Sequence, residues 1–165
     1  LLDIVSKNGN LMLSIPVRGN GTIDEREIEF LDGLTAWMRV NGEGIFGSRP
    51  WQVYGEGPST EGALEAGRFG GARDVRAYTA KDVRFTTRGD TLYAYLLAKP
   101  SDPRVTISSL ATSSPHTAGR KVQDVSLLGA DGKLQWKPDA NGLPVQSPDA
   151  TPGDHTVSLQ IKGLL

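Results

Sequence analysis

Cysteine is absent from the 165 residues, which excludes disulfides, thiolate metal sites and a cysteine nucleophile. Histidine is scarce: the two, His116 and His155, lie far apart, and neither has a ligand partner at metal spacing. No metal and no cofactor is expected. An excess of one charge is lacking too. With a formal net charge of −1, no basic field exists to hold a phosphate backbone, so no nucleic-acid partner is expected. No apolar run approaches the ~20 residues that a membrane-spanning helix needs, and no membrane partner is expected. The sharp G-x-S-x-G turn of a serine nucleophile is missing, and Gly47-Ser48-Arg49 does not replace it. Gly19-Asn20-Gly21 is too short to act as a phosphate loop. The chain opens on Leu1 with neither methionine nor a basic-then-apolar leader, so the expected N-terminus is missing or processed, with any export signal out of view.

What is present divides near residue 65. All seven glutamates fall between Glu25 and Glu65, whereas nine of twelve aspartates and seven of ten prolines come later. Glutamate favours helix interiors; aspartate and proline favour turns. The first third therefore reads as mixed helix and strand, and the remainder as strands joined by turns.

In the first third, Leu1 to Lys7 reads as the last turns of a helix ended by Asn8-Gly9. Leu11-Met12-Leu13-Ser14-Ile15 is apolar without period-two alternation, which suits a strand buried on both faces in a parallel sheet. Thr22 and Glu25 make a capping box for a helix that aligns Ile28, Leu31, Leu34 and Met38 and stops at Asn41-Gly42. Helix end, buried strand and helix make one unit of an alternating α/β architecture. One such unit cannot close a parallel sheet, so the segment reads as the end of a larger domain. Gly55 to Gly71, rich in glycine, reads as a linker or a long surface loop.

From Val83 onward apolar and polar residues alternate, Gly89-Asp90 turns the chain, and Thr91 to Leu97 returns it as a hairpin. Further strands are expected at 105–110, 122–128, 134–136, 143–146 and 156–162, with Asp131-Gly132 as another tight hairpin. Six to eight short strands at this spacing imply an antiparallel sandwich or barrel.

Asp3 to Pro16 resembles the last strand of the catalytic barrel in α-L-fucosidases of glycoside hydrolase family 29. Four later segments are similar to that family in the same order: Gly21-Thr22-Ile23, Asn41 to Trp51, Tyr54-Gly55-Glu56-Gly57-Pro58, and Tyr78 to Thr86 followed by Leu92-Tyr93-Ala94. The resemblance implies a mainly β chain. Residues 1–45 are the terminal β/α unit of the (β/α) barrel, 46–71 a connecting segment, and 72–165 a C-terminal antiparallel β-sandwich, Greek-key-like with two sheets. It also implies a retaining hydrolase of α-linked L-fucose whose aspartate nucleophile and glutamate acid/base lie on an upstream catalytic barrel. No catalytic residue then falls in this chain. The implied partners are that barrel and, through it, fucosylated carbohydrate, and the implied setting is periplasmic, secreted or lysosome-like.

Retaining glycosidases need two carboxylates roughly 5 Å apart. The acidic cluster Asp24, Glu25, Glu27 and Glu29 instead sits in the first turns of a helix, where the dipole stabilises negative charge. Trp37, Trp51, Trp136 and the four tyrosines could stack on sugar rings, with core packing as the plainer role. Trp51, after Pro50, is expected to anchor the junction between domains. Barrel active sites form at the C-terminal ends of the strands, so the loop from Pro16 to Gly21 faces that side, and Arg18 and Asn20 are the candidate sugar-binding residues. A free-standing carbohydrate-binding or adhesion sandwich is the alternative, but such a module has no use for a barrel-like strand at Leu11 to Ile15. Residues 1–40 are expected to pack on protein outside this chain, or in a non-barrel way on the sandwich.

Overall fold

A computed structural model describes residues 1–61, 77–102, 104–146 and 156–165. Most of the glycine-rich stretch from Gly55 to Gly71, and His155, lie outside the described residues.

Two antiparallel sheets face each other across a common core. The larger runs β1 (Arg49–Glu56), β2 (Val83–Arg88), β3 (Thr91–Leu96), β8 (Val157–Lys162) and β5 (Asp124–Leu127) in that spatial order. The smaller runs β4 (Arg104–Ile107), β7 (Leu143–Gln146) and β6 (Gln135–Trp136). Alternation drives one set of side chains inward. Phe85, Leu92, Ala94, Leu159 and Ile161 of the large sheet meet Ile107, Leu143 and Val145 of the small one, all buried. Each Å2 of apolar surface this layer removes from water contributes roughly 25 cal/mol to folding.

The other face of the large sheet is covered as well. Arg84, Thr86, Tyr93, Tyr95 and Ser158 are all buried there. Helix α1 (Leu2–Ser6) packs on β1 and β2, and the end of helix α2 (Glu25–Asn41), with the 3-10 turn Gly42–Gly44, closes over Tyr93 and Tyr95. Leu2, Tyr93, Tyr95 and Leu128 form a second apolar cluster with Trp37, Val40 and Ile45 against it. The architecture is therefore a helical layer, a five-stranded sheet and a three-stranded sheet.

Several local expectations need correction. Leu11–Ile15 forms no strand: it carries no ladder, and Met12 is 95% exposed. An interior strand of a parallel sheet needs partners on both edges, and among the described residues Leu11–Ile15 has neither. An isolated bridge between Val17 and Ile23 is all the pairing in that region. The α2 cap is Asp24, whose carboxylate accepts from Arg26 N at 3.0 Å, and not Thr22, whose hydroxyl donates to Asn20 Oδ1. Asp24 directly precedes the first helical residue, which is where a cap must sit. Asp131-Gly132 joins no hairpin, because β5 pairs with β8 and β6 pairs with β7; the turn carries the chain from one sheet to the other. The segment 46–71, expected to connect, contains β1, the edge strand of the large sheet. Pro50 and a break in register between Pro50 and Gly55 hid its alternation, and proline is tolerated at such an edge.

Candidate functional site

The loop with Arg18 and Asn20 is a compact turn. Arg18 N donates to Thr22 O and Gly21 N to Arg18 O, both at 2.8 Å. The Arg18 guanidinium reaches Asp24 at 2.9 Å and also pairs with Glu25, and Asn20 Oδ1 accepts from Thr22 N at 3.1 Å and Thr22 Oγ1 at 2.8 Å. The structure thus brings Arg18 to the acidic start of α2 and holds Asn20 within its own turn. Hydrogen bonds from Arg18 and from the Arg26 backbone hold Asp24 below the usual carboxylate range. A general acid for glycoside cleavage needs the opposite displacement. Among the described residues no cluster of three acidic, histidine or cysteine side chains could hold a metal.

The aromatic candidates divide by burial. Trp51, expected at a domain junction, lies in the core between the sheets with its ring 5.1 Å from Phe85 and 6.2 Å from His116, both edge-on. It follows Pro50 into β1, whose inward positions feed that core. Trp136 packs half-buried on the same core, and Trp37 on the second cluster. Tyr93 and Tyr95 are buried under the helical layer, whereas Tyr54 and Tyr78 are exposed at its margin. His116 sits in a 3-10 turn capped by Ser114, and its carbonyl accepts from Gln52 Nε2.

Polar chemistry concentrates where the helical layer meets the large sheet. Tyr93 Oη and Gln160 Nε2 each donate to Glu43 Oε1 at 2.7 Å. Burial, and then the Glu43 carboxylate, push the Tyr93 hydroxyl upward, so it remains a donor. Thr86 Oγ1 donates to Gly44 O at 2.6 Å. Arg84, 1% exposed, pairs with Asp3 of α1 at 2.6 Å. Beside these contacts runs a groove of about 690 Å3 lined by Leu1, Phe30, Leu34 and Trp37 of the helices and by Tyr78 and Leu97 of the sheet side. Leu11, Met12, Leu13, Ile28 and Phe46, which do not line it, are exposed. Alternation marked Arg84 only as an outward polar position; its partner lies 81 residues away, beyond local pattern.

Known proteins resemble the chain along nearly its whole length. The family model described as alpha-L-fucosidase matches residues 1–43, and the one described as alpha-L-fucosidase C-terminal domain matches residues 77–162. The tissue alpha-L-fucosidase of Homo sapiens is 26% identical over 169 residues, covering 99% of this chain and 30% of the relative. The alpha-L-fucosidase of Branchiostoma floridae is 28% identical over 152 residues, covering 92% of this chain and 28% of the relative. A solved structure of Thermotoga maritima alpha-fucosidase in complex with fucose superposes with a TM-score of 0.69 at 25% identity, over 97% of this chain and 32% of that one. The chain therefore spans about 30% of the length of the curated relatives it matches.

Proposed function

The chain belongs to the α-L-fucosidase family, and on that premise we propose that it is the C-terminal supporting portion of a retaining hydrolase that releases α-linked L-fucose. Residues 1–45 end the catalytic barrel, and the strands from β1 (Arg49–Glu56) onward form the sandwich that buttresses it. The nucleophile and the acid/base belong to the rest of the barrel, and this portion supplies neither. Arg18 and Asn20, on the loop after the final barrel strand, reach the sugar side once that strand is paired, and Arg18 then exchanges one of its two carboxylates for substrate hydroxyls.

The observation that carries this reading is the contrast between a finished sandwich and an unfinished helical layer. The sheets bury their apolar faces, while Leu11–Leu13, Ile28 and Phe46 stay exposed. A self-sufficient sugar-binding module has no reason to keep that surface uncovered, whereas a barrel fragment requires it.

The test is hydrolysis of an aryl α-L-fucoside. The 165-residue chain alone should show none, and the full-length protein should show turnover that disappears when either barrel carboxylate is replaced. Turnover by the isolated chain, abolished by changing one of its own acidic residues, would overturn the reading.

A further inference from the structure

β2 places Arg84 on the sheet face turned away from the core between the sheets, with 1% of the residue exposed. A guanidinium does not shed its charge at any ordinary pH, and a buried charge without a counter-charge is strongly unfavourable. The surroundings are built for it. At Gly55, on the neighbouring strand, an added Cβ would lie 2.5 Å from Val83 O, 2.8 Å from Arg84 Cδ and 2.9 Å from Nη1, so only glycine leaves the space. The rings of Tyr54 and Tyr78 lie 5.7 and 5.6 Å from the guanidinium carbon. Nη1 donates to Val83 O at 3.0 Å and Nη2 to Ser59 Oγ at 2.7 Å. Ser59 is itself held by buried Asp82, whose Oδ1 accepts from Ser59 N at 2.6 Å.

Everything in this seat comes from the sandwich side except the counter-charge. Among the described residues, Asp3 is the acid that pairs with Arg84, its Oδ1 accepting from Nε at 2.6 Å. Asp3 Oδ2 accepts from Lys7 Nζ at 2.9 Å, and Lys7 in turn lies 5.0 Å from the centroid of the Tyr54 ring. Burial raises the Asp3 carboxyl, but the hydrogen bonds from Lys7 and Arg84 outweigh it and hold the group below 3.8, as a charged partner requires.

We infer that the Arg84 seat is the surface by which the sandwich recognises a carboxylate-bearing helix, that α1 with Asp3 is its occupant, and that the sandwich depends on this helix for its stability. The seat serves this purpose whatever reaction the whole protein performs, so its failure and the failure of the fucosidase reading are separate outcomes.

A double-mutant cycle in the 165-residue chain tests it, with Asp3→Asn, Arg84→Gln and the pair followed by urea unfolding and by amide exchange in α1, β1 and β2. Each single variant should lower the folding equilibrium constant about tenfold or more, and the pair should be no worse than the weaker single variant. Exchange should rise in β1 and β2 as well as in α1 when only Asp3 is changed. Should Arg84→Gln fail to fold, Asp3→Asn combined with Arg84→Met keeps the question open to measurement: removing both charges should recover stability relative to Asp3→Asn alone. Independent effects of the two singles, an Asp3→Asn variant as stable as the parent, or no recovery with Arg84→Met would each overturn the inference.

Discussion

Ser158 Oγ donates a 2.5 Å hydrogen bond to Asn41 Oδ1 across 117 residues, tying β8, an interior strand of the large sheet, to the last residue of α2. Both residues are buried, and Asn41 Nδ2 continues the connection by donating to Trp37 O at 2.9 Å. The helix end is thus fastened to the sheet by polar groups that have no access to water, so each depends on the other.

Ser158→Ala should therefore destabilise the chain by about 1–3 kcal/mol, because it leaves the Asn41 carbonyl oxygen buried and unpaired. Asn41→Ala should cost at least as much, since it removes the bond to Ser158 and the one to Trp37 together. Urea midpoints at constant slope would show both effects, and an unchanged midpoint for Ser158→Ala would show that the bond contributes nothing.

Gly44 is the tightest contact under the helical layer. A Cβ at this position would stand 2.1 Å from Tyr95 Oη and 2.6 Å from the Tyr93 ring. Gly44→Ala should destabilise by about 1–3 kcal/mol or more, as overpacking does. It should also break the Thr86 bond to Gly44 O. Amide exchange should accelerate at 42–46 and in β2 while the strands β4 and β7 keep their protection. Uniform acceleration through both sheets would contradict this.

The strands of the second half were legible because each needs only its own alternation. Val157, Leu159 and Ile161 point into one core, and their spacing says so without reference to partners. What escaped detection depends on distant residues. β1 reads as irregular because Pro50 and Gly55 interrupt it, yet Gly55 is small because the Val83 carbonyl oxygen and the Arg84 side chain lie against it. Leu11–Ile15 reads as a strand by composition, but strands are completed by neighbours, and among the described residues none pairs with it. Arg18 and Asn20 are proposed from the place of their loop in the chain alone. The Arg84 pair was not legible, since an arginine in an alternating strand looks like any outward polar residue until the helix that covers it is known.

Acid should weaken the fold through Asp82 and Asp3. Asp82 is buried, which raises its carboxyl. Hydrogen bonds from Ser59 and from Thr79 N and Oγ1 more than offset this and hold it below 3.8. A folded-state value depressed below the unfolded one contributes stability that is complete above the unfolded value and is lost as the pH falls through the folded one. Unfolding free energy should accordingly be flat from about pH 7 to 5 and fall below about pH 4. Asp82→Asn should start about 1–3 kcal/mol lower at neutral pH and lose less on acidification. A variant with the same acid slope as the parent would assign the effect elsewhere.

The change in composition near residue 65 suggests that residues 1–45 could be removed to leave a folded and more soluble sandwich, because Leu11, Met12, Leu13 and Phe30 are exposed and would go with, or lie within, the deleted part. The contacts argue against a clean cut. Deletion uncovers Tyr93, Tyr95 and Leu128, which Leu2, Trp37, Val40 and Ile45 now cover. It also takes Asn41 from Ser158, and Asp3 from a buried Arg84. Removing one partner of a buried ion pair typically costs about 3–5 kcal/mol. That is comparable to the whole stability of many small domains, about 5–15 kcal/mol. The fragment 46–165 should therefore be marginal or unfolded near room temperature, with broad thermal transitions. Arg84→Met in that fragment removes the stranded charge while keeping an apolar side chain of useful length, and should raise its melting temperature by several degrees. A fragment as stable as the parent without that substitution would show that the helical layer merely rests on the sheet, and that the sandwich is a module in its own right.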